Sequence, residues 1–335
     1  MTHIKNIPLL LAVICITIVG CKNSNKTVKT DTTIYEGTAS VSQGPATIVT
    51  ENIYECNRGR KGPIGTSVAM DGSSWVVPAL VNFTDDTFPF ASDLFNPCTK
   101  IVFNTASEAL ASLDGTDVVE IDTEGEIITA YIFADNYFEM YINGVPVGKD
   151  NVPFTQFNSN IVRFKVTKPF TIAMKLVDWE ENSGLGSESN RGKAYHPGDG
   201  GMVGVFKDAN DEIIATTNSN WKAQTFYTAP IKDLSCVTEE GARRLSKNCN
   251  TIDSEDGTSY YALHWKTPTE WQSQNFDDQE WPYASEYTNA KIGVDNKPAY
   301  TNFTDIFDNS SADAQFIWST NVILDNEVLV RYTVE

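Results

Sequence analysis

Apolar and polar residues alternate through Tyr131-Ile-Phe-Ala-Asp-Asn-Tyr-Phe-Glu-Met-Tyr-Ile-Asn-Gly-Val-Pro-Val-Gly148, and the pattern breaks at Asn143-Gly144. A period of two interrupted by Asn-Gly predicts two antiparallel strands joined by a tight hairpin, because these residues accept the positive φ angles of such a turn. The flanking aromatics suit a pleated, half-buried surface. Similar short runs at 46–54, 74–78, 118–121, 126–133, 161–166, 170–177, 201–206 and 327–334 are bounded by Gly, Pro, Asn or Asp and predict further strands. Residues 207–212 predict a second hairpin turn. Helical spacing is confined to two short turns, 107–113 and 238–245. Many short strands separated by turns predict an all-β fold, a sandwich or jelly roll.

The N-terminus has a different pattern. Leu9 to Val19 form one apolar stretch after Lys5, too short to span a bilayer, and it ends in Ile18-Val19-Gly20-Cys21. This ending resembles a bacterial lipobox, which implies a signal over 1–20 removed by a dedicated peptidase and a lipid on the Cys21 sulfur. An ordinary secretory signal or an uncleaved anchor helix is the alternative. Residues 22–33 are polar and without aromatics, and 21–45 are expected to form a flexible tether, with a β-sandwich domain over 46–335. The expected place is the cell envelope, attached to a membrane through the lipid.

Setting aside Cys15 and Cys21, four cysteines remain: Cys56, Cys98, Cys236 and Cys249. An even number fits an oxidising compartment and leaves three pairings open. Cys56–Cys98 with Cys236–Cys249 is favoured, since each closes a loop within its own half of the chain. A four-thiolate zinc site is disfavoured because no Cys-x-x-Cys pair occurs.

Composition narrows the partners. The chain has 335 residues, with 44 Asp+Glu against 25 Lys+Arg and a net charge of −19, so nucleic acid and anionic headgroups are poor partners for its bulk surface. With 41% apolar and 11% aromatic residues a large core is available. Neutral polar ligands and calcium stay open.

Four segments occur in a telling order: 134–148, then Phe164-Lys-Val-Thr167 with a strand ending in Trp179, then Ser219-Asn-Trp-Lys222, then Phe276-Asp-Asp-Gln-Glu-Trp-Pro-Tyr-Ala284. Together they resemble the galactose-binding-like β-sandwich modules attached to bacterial β-galactosidases and α-rhamnosidases, most strongly over 117–335. The resemblance implies a jelly-roll sandwich in which the hairpin and the Phe276–Ala284 segment are structural signatures. It also implies a calcium ion whose ligands it does not assign. Those enzymes carry paired carboxylates on a neighbouring catalytic barrel, and no barrel-length sequence is left here, so binding is expected rather than catalysis.

Candidate ligand contacts come from residue type. The Gly/Ser-rich connection 178–200 is long for a loop, and such loops are commonly functional. It carries Trp179, Arg191, Tyr195 and His196, types that stack on sugar rings or hydrogen-bond hydroxyls. Trp265, with Trp271, is a further candidate platform, although core burial competes for every one of these tryptophans. His196 and His264 are far apart and do not form a metal pair by themselves. The carboxylate pairs Asp85-Asp86, Glu180-Glu181 and Asp277-Asp278 are expected as surface charge or turn caps, since sequence neighbours seldom achieve the spacing of a glycosidase pair. Asp208-Ala-Asn-Asp211 lacks the glycine and distal glutamate of an EF-hand. Asn-Phe-Thr-Asp recurs at 82–85 and 302–305. No Gly-x-Ser-x-Gly, P-loop or His-Glu-x-x-His motif is present. The expected function is glycan binding or adhesion in the envelope. The alternatives are a structural or protein-interaction lipoprotein, or an envelope hydrolase with an unidentified site.

Overall fold

The computed structural model describes residues 35–57, 59–189, 195–251 and 260–335. The fold is all-β, with 41% of residues in strands and 8% in helices. Two large sheets face each other. In the first, seven strands run in the order Ser40–Gln43, Tyr261–His264, Lys222–Ile231, Asp325–Val334, Phe170–Val177, Tyr137–Ile142 and Val145–Lys149. The second has the order Ser285–Tyr287, Phe316–Trp318, Gly201–Lys207, Glu126–Asp135, Ser159–Val166, Ser92–Asn96 and Ile101–Val102. Ile213–Thr216 pairs with Gly201–Lys207, and Val118–Glu120 runs parallel to Ser159–Val166.

Register decides which side chains meet between the sheets. Met140 pairs with Met174 and Ile142 with Ile172, while Val162 pairs with Ala130 and Phe164 with Ile128, so each sheet turns a continuous apolar face inward. Phe164 and Phe170 meet edge to face across the gap at 5.8 Å. The predicted hairpin is present, with Asn143 and Gly144 both at positive φ, but its first strand starts at Tyr137. The alternating run spans two sheets: Glu126–Asp135 belongs to the second and Tyr137–Ile142 to the first.

The first sheet is buried on its outer face too, and all eight residues of Phe170–Val177 are buried. That outer face carries Tyr137, Glu139, Tyr141, Lys175, Glu327 and Arg331, and the segments lying over it are held by cations. Lys149 Nζ donates to the carbonyls of Asn82, Phe83 and Asp85 at 2.7–2.8 Å. Lys175 Nζ donates to the Leu80 carbonyl and lies 3.6 Å from Glu327 Oε1. Arg331 pairs with Asp278 at 2.7 Å and donates to the carbonyls of Trp271 and Ser273. Phe276 and Trp281 lie over this point, so the Phe276–Ala284 segment acts as a cover for the sheet. The repeated Asn-Phe-Thr-Asp serves two unrelated roles: 82–85 is the turn whose carbonyls Lys149 grips, and 302–305 joins the short helices Pro298–Thr301 and Thr304–Phe307.

Three expectations are corrected. Residues 238–245 form a two-stranded hairpin, Thr238–Glu240 with Arg243–Leu245, because Gly241 at positive φ turns the chain back before a helix can form. The expected tether ends earlier than residue 45: Ser40–Gln43 is an edge strand of the first sheet, and Glu239 accepts from Tyr35 Oη at 2.6 Å and from Thr38 N at 3.1 Å. Glu180 is buried rather than a surface charge, whereas Asp85 is the expected turn cap, accepting from Thr87 N at 2.9 Å. The expected disulfides, Cys56–Cys98 and Cys236–Cys249, are both formed. The 107–113 helical turn is found as Ala106–Ala111, capped by Thr105.

Asp150 follows the hairpin and is 1% exposed, accepting from Val152 N and Asn158 Nδ2 at 2.8 and 2.7 Å. Burial pushes its carboxyl up to about 7 from the ordinary 3.8. Between these values the folded chain holds a proton that the unfolded chain has released, so this group lowers stability as the pH rises through that window. Asp150→Asn keeps the acceptor oxygen and removes the titration. The wild type is expected to lose up to about 4 kcal/mol more than the variant between those values in denaturant melts; parallel pH profiles would refute the assignment.

Candidate functional site

The 178–200 connection leaves the end of Phe170–Val177 and returns at Gly201–Lys207. Its root is built by local geometry. Asn182 N donates to the Ser187 carbonyl at 3.0 Å, closing a turn through Gly184 and Gly186, both at positive φ. A Cβ on Gly186 would lie 2.4 Å from the Ala229 carbonyl oxygen, and one on Gly184 would lie 2.7 Å from Ala46 N, so the turn needs glycine for close approach as well as for φ. Beyond the turn, Glu188 N donates to the His196 carbonyl at 2.7 Å and His196 N to the Glu188 carbonyl at 3.0 Å, a two-bond bridge between the limbs.

A cleft of about 670 Å³ opens beside this root, lined by Ile48, Glu51, Arg60, Lys61, Glu181 and Ser189 among others. Arg60 crosses it, with Nε 3.3 Å from Glu181 Oε1 and Nη1 bonded to Glu188. Its guanidinium also stands 5.5 Å from the centre of the Phe154 ring. Glu181 Oε2 accepts from both the backbone N and the hydroxyl of Ser189 at 2.8 Å. His196 Nε2 lies 3.7 Å from Glu188 Oε2, with its side chain 41% exposed. The cleft thus presents cationic donors, carboxylate acceptors and a hydroxyl along one wall, the mixture that recognises hydroxyl-rich polar ligands.

The two adjacent glutamates divide the work of holding the limbs. Glu181 binds Ser189 on the outgoing limb, and Glu180 Oε1 accepts from Gly198 N at 2.6 Å on the returning limb. Glu180 is 3% exposed, and beside it lie Asp178 at 2% and Asp135 at 4%. Desolvation raises all three carboxyls well above their ordinary range, and repulsion from neighbouring carboxylates, Asp199 and Glu188 among them, raises them further. Among the described residues no three His, Cys, Asp or Glu side chains converge as a metal site.

Sequence-based candidates divide sharply in this setting. Trp179 is 0% exposed, with its indole N–H donating to the Pro63 carbonyl at 3.1 Å and its ring edge-on to Tyr137 at 5.9 Å. No ring face is left for a sugar. Trp265 is 4% exposed; it donates to Glu239 at 2.8 Å, and the Arg244 guanidinium lies 4.8 Å from its ring centre. It packs against the disulfide-bound hairpin and does not line the cleft. Tyr195 and His196 are half-buried at the loop root. Arg191 and Cys21 lie outside the described residues. His264 is 2% exposed, stacked between Trp75 and Tyr227, and burial lowers its ring to about 3, so it stays neutral. Asp208 Oδ1 accepts from Asn210 N and Glu212 N, the cap of a hairpin turn.

Arg60, Lys61 and Ser189 were not singled out by sequence, and Glu181 was expected only as surface charge or a turn cap. Their one shared signal is proximity to expected loops, since Arg60 and Lys61 follow Cys56 in a Gly-rich stretch. Trp179→Ala is expected to cost about 3–5 kcal/mol of stability in chemical denaturation, the range for deleting a large buried aromatic. A variant as stable as wild type would show the indole to be free for ligand. Comparison with protein-family models, curated proteins and solved structures finds no match.

Proposed function

We propose that this is a lipid-anchored cell-envelope protein that binds glycan, in carbohydrate capture or adhesion, through the cleft beside the 178–200 loop on a jelly-roll sandwich of the galactose-binding-like type. The observation that carries this is the lining of the cleft: Arg60, Lys61, Glu51, Glu181 and Ser189 offer donors and acceptors to a ligand rich in hydroxyls. Arg60 is central, because its planar guanidinium is held by two carboxylates and is thereby oriented in advance of binding. Membrane attachment rests on the Ile18-Val19-Gly20-Cys21 sequence. Among the described residues no helix is long and apolar enough to cross a membrane.

A second function, protein docking, is favoured by a different face. The three-stranded sheet of Thr47–Thr50, Ile64–Val68 and Ser74–Val77 exposes Val49, Val68 and Val76, with Leu80 beside them. Contiguous exposed aliphatic residues of this kind commonly mark interaction surfaces.

The test is a glycan array probed with the chain from Thr33 onward, with calcium and with a chelator. Saturable binding that falls by about tenfold or more in Arg60→Ala is the expected result. Binding to no glycan by folded protein would reject the first function and favour docking, which Val68→Asp would then be expected to abolish in a pull-down from envelope extract.

A further inference from the structure

We propose that Asp178 and Glu180 form a proton-held latch, which keeps the two limbs at the root of the 178–200 loop together in acid and releases them as the pH rises. The latch stands apart from the identity of any ligand of the cleft. Asp178 extends the row of strand partners by one residue, its backbone N donating to the Asn326 carbonyl at 2.9 Å. Trp179 N donates to Asn136 Oδ1 at 2.6 Å, and Asn136 Nδ2 to Asp135 Oδ1 at 2.6 Å, so Asp135, Asn136, Asp178 and Asn326 lie side by side where the two sheets approach.

Among the described residues, three buried oxygens here have no hydrogen-bond partner: Asp178 Oδ2, Glu180 Oε2 and Asn326 Oδ1. All three are acceptors when the carboxyls are ionised, and a buried acceptor without a donor is costly. The hydroxyls of Ser183 and Tyr227 are unpartnered as well, and Glu180 is the charge that bears on Tyr227. A proton on either carboxyl turns one of these acceptors into a donor. Glu180 also accepts from Gly198 N on the returning limb, a bond that by itself favours ionisation, so release depends on repulsion from the neighbouring carboxylates outweighing it.

The charges facing the pair come from every side. Asp135, Glu188 and Asp199 oppose ionisation; Arg60 favours it at Glu180, and Lys291 and Lys297 act on Asp135 and Asp199 from the helical segment. Asp199 is itself raised to about 6 by burial. His196 faces Glu188 across the limbs, so it needs a separate control. Because the carboxyls are raised, the folded state holds their protons at a pH where solvent-exposed acids have lost them. Ionisation as the pH rises then sets like charges against one another between the limbs.

Hydrogen exchange of the full-length protein, followed by mass spectrometry at about pH 5 and about pH 8 and corrected for intrinsic rates, tests the latch. Protection of the Ser189, His196 and Gly198 amides is expected to fall by about tenfold or more in wild type, and by less than about twofold in Asp178→Asn/Glu180→Gln. An equal fall in that variant overturns the proposal, as does a response abolished only by His196→Gln. Protection restored at the higher pH by millimolar calcium or magnesium also overturns it, since a cation would then be what holds the cluster. Should the double variant fail to fold, Asp199→Asn removes one of the opposing charges at a less buried position. There a smaller fall supports the latch and an unchanged fall overturns it.

Discussion

Covering the outer face of the first sheet is the constraint on which the rest of this structure depends. A strand such as Phe170–Val177, buried at every position, cannot face water on one side as strands of many sandwiches do. Its outer face is nevertheless not apolar: it carries Glu139, Lys175, Glu327 and Arg331. Those charges are satisfied by what lies over them. Glu139 accepts from Asn82, Tyr137 and Tyr141, while Lys149, Lys175 and Arg331 each seize backbone carbonyls of a covering segment. Irregular segments have no ladder to occupy their carbonyls, and a buried ammonium or guanidinium has donors to spare, so each side meets the other's need. The cover, made of residues 79–90 and 271–281, is thus fixed to the sheet by polar contacts and by Phe83, Phe88, Trp271 and Trp281.

This arrangement explains what was legible in the sequence. The strands were, because their inner faces obey the period of two: Phe170–Val177 has the expected bounds, and Gly201–Lys207 and Asp325–Val334 differ by a residue or two. The disulfides followed from loop closure within each half. The cover was not legible, since Lys149 and Arg331 have the same appearance in a sequence as surface charges. The crossing at Asp135 was hidden for a related reason: alternation continues through Asn136 although the chain passes from one sheet to the other, and periodicity reports faces, not sheets.

Two of the sequence-based candidates are buried for one physical reason. Trp179 and Trp265 were attractive because tryptophan stacks on sugars, but their indole N–H groups found buried acceptors, Pro63 and Glu239, and large rings with a satisfied polar atom belong in a core. The cleft is instead built by side chains whose value comes from partners distant in sequence. Arg60 reaches Glu188 across 128 residues of chain, a pairing that no local pattern encodes. The loop itself was legible as a long connection, because its length and glycine content are local properties.

The acidic residues, which dominate the composition, fall into two populations with opposite behaviour. Asp85, Asp114 and Asp233 are exposed and Asp122 and Asp208 half-buried, and all five accept backbone or hydroxyl hydrogen bonds, which lowers their carboxyls. Asp135, Asp150, Asp178, Glu180, Asp325 and Glu327 are buried and raised by desolvation. Asp325 marks how far hydrogen bonding can offset burial: four hydroxyls, from Thr225, Thr228, Ser246 and Ser319, surround it at 2.6–3.1 Å, and it is still raised. Asp178 and Glu180 have fewer donors and more negative neighbours. The formal charge of −19 therefore counts groups that hold protons close to neutral pH. The turn caps keep the surface acidic at every pH above their lowered values, whereas the buried group makes the interior sensitive to pH, with Asp150 after the hairpin and Asp135, Asp178 and Glu180 at the root of one loop.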